Sequence, residues 1–342
     1  MKIIVDAMGG DNAPDEIVLG SVNAVKENNI EITLVGRGED ILRVFHRLGM
    51  KDLPGGIEIV NATEIIEVDE DPATSIRVKK DSSLTVGLTL LRDGRGDALV
   101  SAGSTGALLS GATLVVKRVR GIRRAALAPF IPNTKSGFIL IDCGANAECT
   151  PEYLMQFAYM GSFYAEDIFN VKSPRIGLLN NGSESTKGTA LQHETYKLLE
   201  KAELNFIGNI EAKDAMSGAC DVLVCDGFTG NIFLKTVEGT ASLIMSELKN
   251  VFMSSALTKL SALFVKNKLS GLKKKMNPDT VGGTALLGIS KPVIKAHGSS
   301  NAQAIQNAIL QAEKEAKSDI AKRFQDNIER MKVSIDKTDN ES

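Results

Sequence analysis

The chain has 342 residues, 43% of them hydrophobic, enough to bury a sizeable core in one large α/β domain or two intimate ones. A formal net charge of −2 excludes bulk electrostatic binding of nucleic acid, so any basic patch is local. The 4 cysteines (Cys143, Cys149, Cys220 and Cys225) lack zinc-type spacing and no apolar run could span a bilayer, which predicts a reduced cytosolic protein without a metal.

Met1 runs straight into a buried strand at residues 2–5, with no signal-peptide pattern. The strand ends in Asp6-Ala7-Met8-Gly9-Gly10-Asp11-Asn12-Ala13-Pro14, where paired glycines let backbone approach a ligand closely. Pro14 suits the first turn of the helix that follows. Residues 32–35 are a second strand, closed by Gly36-Arg37-Gly38 and followed by a helix to about Leu48; residues 57–60 are a third strand. Asp69-Glu70-Asp71-Pro72 reads as a solvated acidic turn, with Arg77, Lys79 and Lys80 on a short helix after it.

Residues 98–101 form another strand, and the loop Ala102-Gly103-Ser104-Thr105-Gly106-Ala107 opens an apolar helix through about Val116. Such a loop serves either an anion site or tight strand-to-helix packing. Arg118, Arg120, Arg123 and Arg124 are the densest arginine cluster, either a solvated face or a dock for an acidic partner. Residues 138–141 are a clear strand ending at Asp142-Cys143-Gly144-Ala145-Asn146-Ala147, and Thr150-Pro151-Glu152 starts a helix.

Residues 176–188 join a short buried strand, an Asn180-Asn181-Gly182 turn, and a hydroxyl-rich helix start carrying Lys187. Further strands lie near Phe206 and at residues 221–225, the latter leading into Asp226-Gly227-Phe228-Thr229-Gly230-Asn231 and a helix to about Phe252. Strands alternating with helices predict a parallel sheet, whose loops after Asp6, Ser101, Asp142, Asn180 and Asp226 can converge on one cleft. Residues 257–276 read as two short helices broken at Gly271, with lysines around an apolar face that suits a membrane surface or a dimer arm. The chain then returns to the sheet at residues 282–288 and 293–298, and Ser299-Ser300-Asn301 caps a final helix to about Met331. The expected organisation is one catalytic domain over residues 1–331, an amphipathic hairpin inserted at 253–277, and a polar tail at 332–342.

Several chemistries are disfavoured. No G-x-G-x-x-G is present, and Gly182 to Gly188 differs from a P-loop in placing glycine after Lys187. His46, His193 and His297 stand apart, and no nucleophile elbow supports Ser-His-Asp catalysis. Cys143 is either a nucleophile or a buried structural thiol. What remains is anion chemistry. Lys187, loop amides, Asn146, Asn180, Asn181 and Asn231 could hold a phosphate that itself attacks a polarised carbonyl.

The ordered set of motifs resembles that of the bacterial phosphate acyltransferases of phospholipid synthesis. It comprises the loops from Asp6 to Pro14, Ser101 to Ala107, Asp142 to Asn146, Gly177 to Gly188 and Asp226 to Asn231, with Lys295-Ala296-His297-Gly298. The resemblance implies a three-layer α/β/α fold with a mostly parallel sheet, related to isocitrate/isopropylmalate dehydrogenase-like and phosphotransacetylase folds, plus a protruding amphipathic helical hairpin. It implies transfer of a long-chain fatty acyl group from acyl carrier protein to inorganic phosphate, without a cofactor or covalent acyl-enzyme. The acyl phosphate would feed a membrane glycerol-phosphate acyltransferase. The expected protein is a cytoplasmic homodimer held peripherally on the membrane through Leu257, Leu260, Phe264, Leu269 and Leu272, with Arg118, Arg120, Arg123 and Arg124 docking the carrier protein. Lys187 is expected to bind phosphate, Asp226 to orient Lys187 or the phosphate, and Asn231 and Asn146 to hold the thioester oxygen. His297 is expected to contact phosphate, to protonate the leaving thiolate, or only to pack. Asp6, Gly9, Gly10, Ser104, Thr105, Gly106, Asn180, Asn181 and Gly227 are expected around the substrate. Ser104 stands where Asn is common in relatives, and Thr284-Ala285 where Ala-Pro is common. The competing readings are a coenzyme A-dependent phosphotransacetylase, a decarboxylating dehydrogenase on the same fold, and a non-enzymatic lipid-responsive scaffold.

Overall fold

The computed structural model describes residues 1–276 and 282–332. Of the expected tail, residues 333–342 lie outside the described residues, as does the side chain of Leu272. The chain begins β1 (Lys2–Asp6), α1 (Asp15–Asn28), β2 (Glu31–Gly36), α2 (Gly38–Arg47), β3 (Ile57–Asn61), α3 (Pro72–Val78), α4 (Ser83–Arg92), β4 (Ala98–Ser101) and α5 (Thr105–Gly111). A π-helical turn (Ala112–Val116) follows, then β5 (Ala126–Ala128), β6 (Phe130–Ile131), β7 (Phe138–Ile141), α6 (Pro151–Phe169), β8 (Ile176–Leu179), α7 (Ala190–Glu200), β9 (Phe206–Ile210), α8 (Ala212–Met216) and β10 (Val222–Val224). The remainder is α9 (Gly227–Met253), α10 (Ala256–Met276), β11 (Thr284–Leu287), β12 (Val293–Lys295), α11 (Ala302–Ser318) and α12 (Ile320–Asp326).

The class is α/β, but the strands form two sheets where one was expected, a 7-stranded sheet ordered β3-β2-β1-β4-β12-β11-β5 and a 5-stranded sheet ordered β6-β7-β10-β8-β9. Most pairings are parallel; β11 runs antiparallel to β12 and β5, and β6 antiparallel to β7. The chain changes sheets at Pro129, between β5 and β6. Proline has no N–H to continue a ladder, so a sheet boundary there leaves no donor orphaned. Leu127 O accepts from Cys143 N at 3.0 Å, tying β5 to the loop after β7. One buried cluster contains Ile3 and Val5 of β1 as well as Ile139 and Ile141 of β7, so the apolar core runs beneath both sheets. The long helix α6 lies within it, capped by Thr150 Oγ1 accepting from Tyr153 N at 3.4 Å.

Three local expectations change. The acidic turn is not simply solvated: Asp71 caps α3 by accepting from Thr74 N at 2.8 Å, and Glu70 pairs with Lys79. Residues 257–276 are not two helices, because α10 continues through Gly271. A mid-helix glycine costs about 1 kcal/mol, too little to break a 21-residue helix. The hairpin is instead α9 against α10, turned at Ser254-Ser255, where Ser255 Oγ accepts from Thr258 N at 3.2 Å. The last helix is also divided, since Asp319 adopts a left-handed conformation (φ 51°) between α11 and α12.

Candidate active site

The carboxyl ends of β1, β4 and β12 are adjacent in the sheet and deliver three loops to one place. Their backbones touch: a Cβ on Gly9 would stand 2.6 Å from Gly103 N, and Asp11 N donates to Gly298 O at 2.8 Å. Only glycine fits such an approach. Beneath the junction Asp6 is buried, accepting from Ser101 Oγ at 2.7 Å and Met8 N at 3.2 Å. Burial pushes its carboxyl up, while these donors and the nearby Lys295 ammonium oppose that.

Lys295, the last residue of β12, is 9% exposed. Its Nζ donates to Ala102 O at 3.2 Å and to Ala296 O. Burial brings its ammonium down to about 8, against the attraction of Asp6 and Asp11. A lysine held there exchanges its proton near neutral pH.

Lys295 faces a cavity of about 380 Å³ shared with Thr105 and Gly106 of α5, Gly144, His297, and Asn231 of α9. Backbone amides at a helix's first turn lack intrahelical acceptors, so α5 adds N–H donors at the wall. Ser299 N donates to His297 Nδ1 at 3.3 Å. Ser299 Oγ lies 2.9 Å from the same nitrogen, so the contacts to Ser299 are made by Nδ1 and not by Nε2. Opposite charges, Lys235 and Glu238, complete the α9 wall and pair with each other at 2.8 Å.

The start of α9 is fixed from below by Asp142. Its carboxylate accepts from Leu127 N at 2.8 Å, Cys143 N at 2.7 Å, Ala145 N at 3.3 Å and Asn146 N at 2.7 Å. Burial raises its carboxyl, and the surrounding donors resist the shift. A Cβ on Gly230 would lie 2.0 Å from Asp142 O, so α9 can seat on this loop only with glycine there. Asp226 caps the helix, accepting from Thr229 N at 2.8 Å and Thr229 Oγ1 at 2.7 Å.

A family model described as "Fatty acid synthesis protein" matches residues 1–323. The "Phosphate acyltransferase" of Thermoanaerobacter pseudethanolicus is 46% identical over 332 residues, covering 97% of this chain and 98% of the relative. That of Brevibacillus brevis is 47% identical over 332 residues, covering 96% and 98%. The chain belongs to the phosphate acyltransferase family. Among solved structures, a phosphotransacetylase from Streptococcus pyogenes superposes with a TM-score of 0.62 at 19% identity, covering 93% of this chain and 94% of that one. A branched-chain phosphotransacylase from Enterococcus faecalis gives 0.57 at 13%, covering 92% and 99%. A structure assigned as a 4-hydroxythreonine-4-phosphate dehydrogenase from Salmonella typhimurium gives 0.52 at 12%, covering 92% and 98%. At these identities the likeness establishes the shared α/β fold.

Within this family member the expected site residues do not all meet. Thr105, Gly106, Asn231 and His297 line the cavity, with Asp6, Gly9 and Gly10 forming the junction beside it. Ser104 caps α5, accepting from Ala107 N at 3.4 Å, a role its hydroxyl fills as well as an Asn amide oxygen would. Gly227 packs on the Asp142 loop, where a Cβ would meet Asp142 Oδ2 at 2.6 Å. Asn146 differs from expectation: its Nδ2 donates to Ala125 O at 2.8 Å and to Asp142 Oδ2 at 3.0 Å, which leaves no amide hydrogen for a thioester oxygen. Asp226 reaches Thr229 rather than Lys187.

The single cleft expected from five loops is divided by α9. Asn180, Asn181 and Gly188 line a second, larger hollow of about 690 Å³ with Ile232 and Phe233 on another face of that helix. Lys187 is exposed and lines neither hollow; its carbonyl accepts from Asn180 Nδ2 at 2.9 Å. Cys143 borders the first cavity with its thiol pushed up to about 12 by burial, so it is protonated at neutral pH and reads as structural. Lys295 was absent from the expected set, although it closes an apolar strand run immediately before the loop of His297 and Gly298.

Arg118, Arg123 and Arg124 surround a surface hollow of about 620 Å³ with Glu152 and Tyr153. Arg123 pairs with Glu152 at 3.1 Å, Arg124 lies 5.6 Å from the Tyr153 ring centroid, and Arg120 is exposed outside the hollow. On the hairpin, Leu257 (75%), Leu260 (54%) and Phe264 (81%) are exposed while Leu269 is half-buried. The apolar surface continues onto α9 through Leu243, Ile244, Val251 and Met253, which the sequence had not marked. Among the described residues no helix is long and apolar enough to cross a membrane.

Proposed function

We propose that the 380 Å³ cavity is where inorganic phosphate attacks the thioester of a long-chain acyl carrier protein. The observation that carries this reading is Lys295, a buried cation near pKa 8 facing the cavity beside His297, whose Nδ1 is held by Ser299. Hydrogen phosphate binds against the Lys295 ammonium, His297 Nε2 and the first amides of α5. A phosphate oxygen attacks the thioester carbon, and Asn231 donates to the carbonyl oxygen as it gains negative charge. The new C–O bond and the broken C–S bond give acyl phosphate and a thiolate. The proton lost by hydrogen phosphate ends on that sulfur, and Lys295 passes it across. The buried, protonated Cys143 supports direct attack over an acyl-enzyme.

The exposed ridge of Leu257, Leu260 and Phe264 supports peripheral attachment of a cytoplasmic homodimer to the membrane, where a glycerol-phosphate acyltransferase would take up the acyl phosphate. The residues 1–331 act as one catalytic domain carrying this hairpin.

The purified protein is mixed with long-chain acyl carrier protein, with and without inorganic phosphate. Free carrier thiol and hydroxylamine-trapped acyl phosphate are measured. Phosphate-dependent release of both is expected. Release from acyl-coenzyme A in preference to carrier protein would instead establish a phosphotransacetylase, and turnover of neither would favour a scaffold.

A further inference from the structure

We infer that a hollow framed by Arg77, Arg118 and Arg124 binds the phosphodiester of a carrier protein's pantetheine arm, upstream of the catalytic cavity. The inference rests on the acyl-transfer reading above and names how the thioester substrate is held.

The hollow measures about 290 Å³. Its arginines come from separate parts of the chain: Arg77 from α3, Arg118 from beyond the π-helical turn, and Arg124 from just before β5. Ser110 and Thr113 add hydroxyls to the same wall. Several other arginines of this fold pair with carboxylates, such as Arg175 with Asp221 at 2.9 Å and Arg123 with Glu152 at 3.1 Å, and those that do not, Arg37, Arg95 and Arg120, do not line this hollow. Among the described residues no carboxylate forms a salt bridge with Arg77, Arg118 or Arg124. Arg118 donates to Arg123 O, and Arg124 lies over Tyr153, so both are positioned without being neutralised. Guanidinium groups gathered around one concavity repel each other until an anion enters, and their planar forks match phosphate oxygens.

The position identifies the anion. Leu109 lines both this hollow and the catalytic cavity. The loop after β7 separates the two, with Cys143 and Gly144 facing the cavity and Ala145 and Asn146 facing the arginines. On the outer side, Arg118 and Arg124 are shared with the surface hollow that also contains Arg123. The three spaces therefore form a file from a basic surface, through an anion site, to the reacting group. An acyl carrier protein has the matching order: an acidic surface, one phosphodiester, and a flexible arm with its thioester at the far end. Inorganic phosphate as co-substrate belongs instead beside Lys295 and His297, which do not line the arginine hollow.

The test compares the wild type with Arg77→Ala and Arg77→Lys, using steady-state kinetics on acyl carrier protein, acyl-phosphopantetheine, acyl-pantetheine and acyl-coenzyme A. Thermal melts confirm that the variants fold; Arg77→Lys, which keeps the charge, provides a second variant if Arg77→Ala does not. Arg77→Ala is expected to raise KM about tenfold for the carrier protein and for acyl-phosphopantetheine, the scale of a lost charge-assisted hydrogen bond. KM for acyl-pantetheine, which lacks the phosphate, and for inorganic phosphate should not move, and Arg77→Lys should recover part of the loss. An equal rise for acyl-pantetheine, a rise in KM for inorganic phosphate, or a loss confined to acyl-coenzyme A would overturn the assignment. If the wild type turns over no thioester, the acyl-transfer reading fails separately. Calorimetry with phosphopantetheine and pantetheine then decides the subsite: tighter phosphopantetheine binding that Arg77→Ala removes supports it, and equal binding of the two overturns it.

Discussion

Lys295 and Glu315 are both buried, and burial disfavours the charged form of each. For Lys295 the result is an ammonium near 8 at the wall of the 380 Å³ cavity. Glu315 lies on α11, accepting hydrogen bonds from Tyr164 Oη and from Gln311 Nε2 at 3.0 Å, and burial raises its carboxyl to about 7. The native state therefore keeps a proton that the unfolded chain releases near the ordinary glutamate value of 4.5. Stability contributed by this group is full below about 4.5 and is lost as pH rises to about 7, a change on the order of 3 kcal/mol. Glu315→Gln should accordingly be more stable than wild type at pH 8 and lose that advantage by pH 4.5; urea melts at the two pH values check the sign. A residue's type and neighbours in sequence announce neither effect. Lys295 stood in plain view at the end of an apolar strand, but its burial follows from β4 pairing beside β12 and from the loops of Asp6 and Ser101 closing above it. Lys187 drew attention because its glycine-rich setting is local, whereas exposure is decided by the whole chain.

At the scale of elements, long apolar strands and capped helices were legible. β1, β4, β7 and β8 have every or nearly every residue buried and read as continuous apolar runs, and Thr150-Pro151 marked α6 directly. The 3 residues of β5 and 2 of β6 are too short for any periodicity, yet they carry the chain between sheets. Their omission is why one sheet was expected. The hairpin shows the converse, a pattern read as helical but divided at the wrong residue: the break lies at Ser254-Ser255, where hydroxyls can satisfy the freed backbone groups, and not at Gly271. Leu260→Glu with Phe264→Glu should abolish sedimentation with anionic phospholipid vesicles and leave acyl transfer in solution within about twofold, since both side chains are exposed and neither lines the cavity. Vesicle binding equal to wild type would assign the ridge to contact with another protein surface.

At the scale of the molecule, the proposed chemistry lies at the carboxyl ends of the strands, and α9 partitions the space there. One face of this helix presents Asn231 to Lys295 and His297; another presents Ile232 and Phe233 to the hollow of Asn180 and Asn181. Convergence of loops at strand ends was foreseeable from the alternation of strands and helices, but a helix rising between them was not, because its seat depends on Gly227 and Gly230 meeting the Asp142 loop. The most direct test of the proposed chemistry is phosphate-dependent turnover of acyl carrier protein by Lys295→Met and Lys187→Ala beside the wild type, with thermal melts as a control for folding. Lys295→Met should lose about a hundredfold or more in kcat, as expected when a general acid–base group is removed, and Lys187→Ala should lose much less. Wild-type turnover by a folded Lys295→Met enzyme would contradict the assignment of the reaction to this cavity.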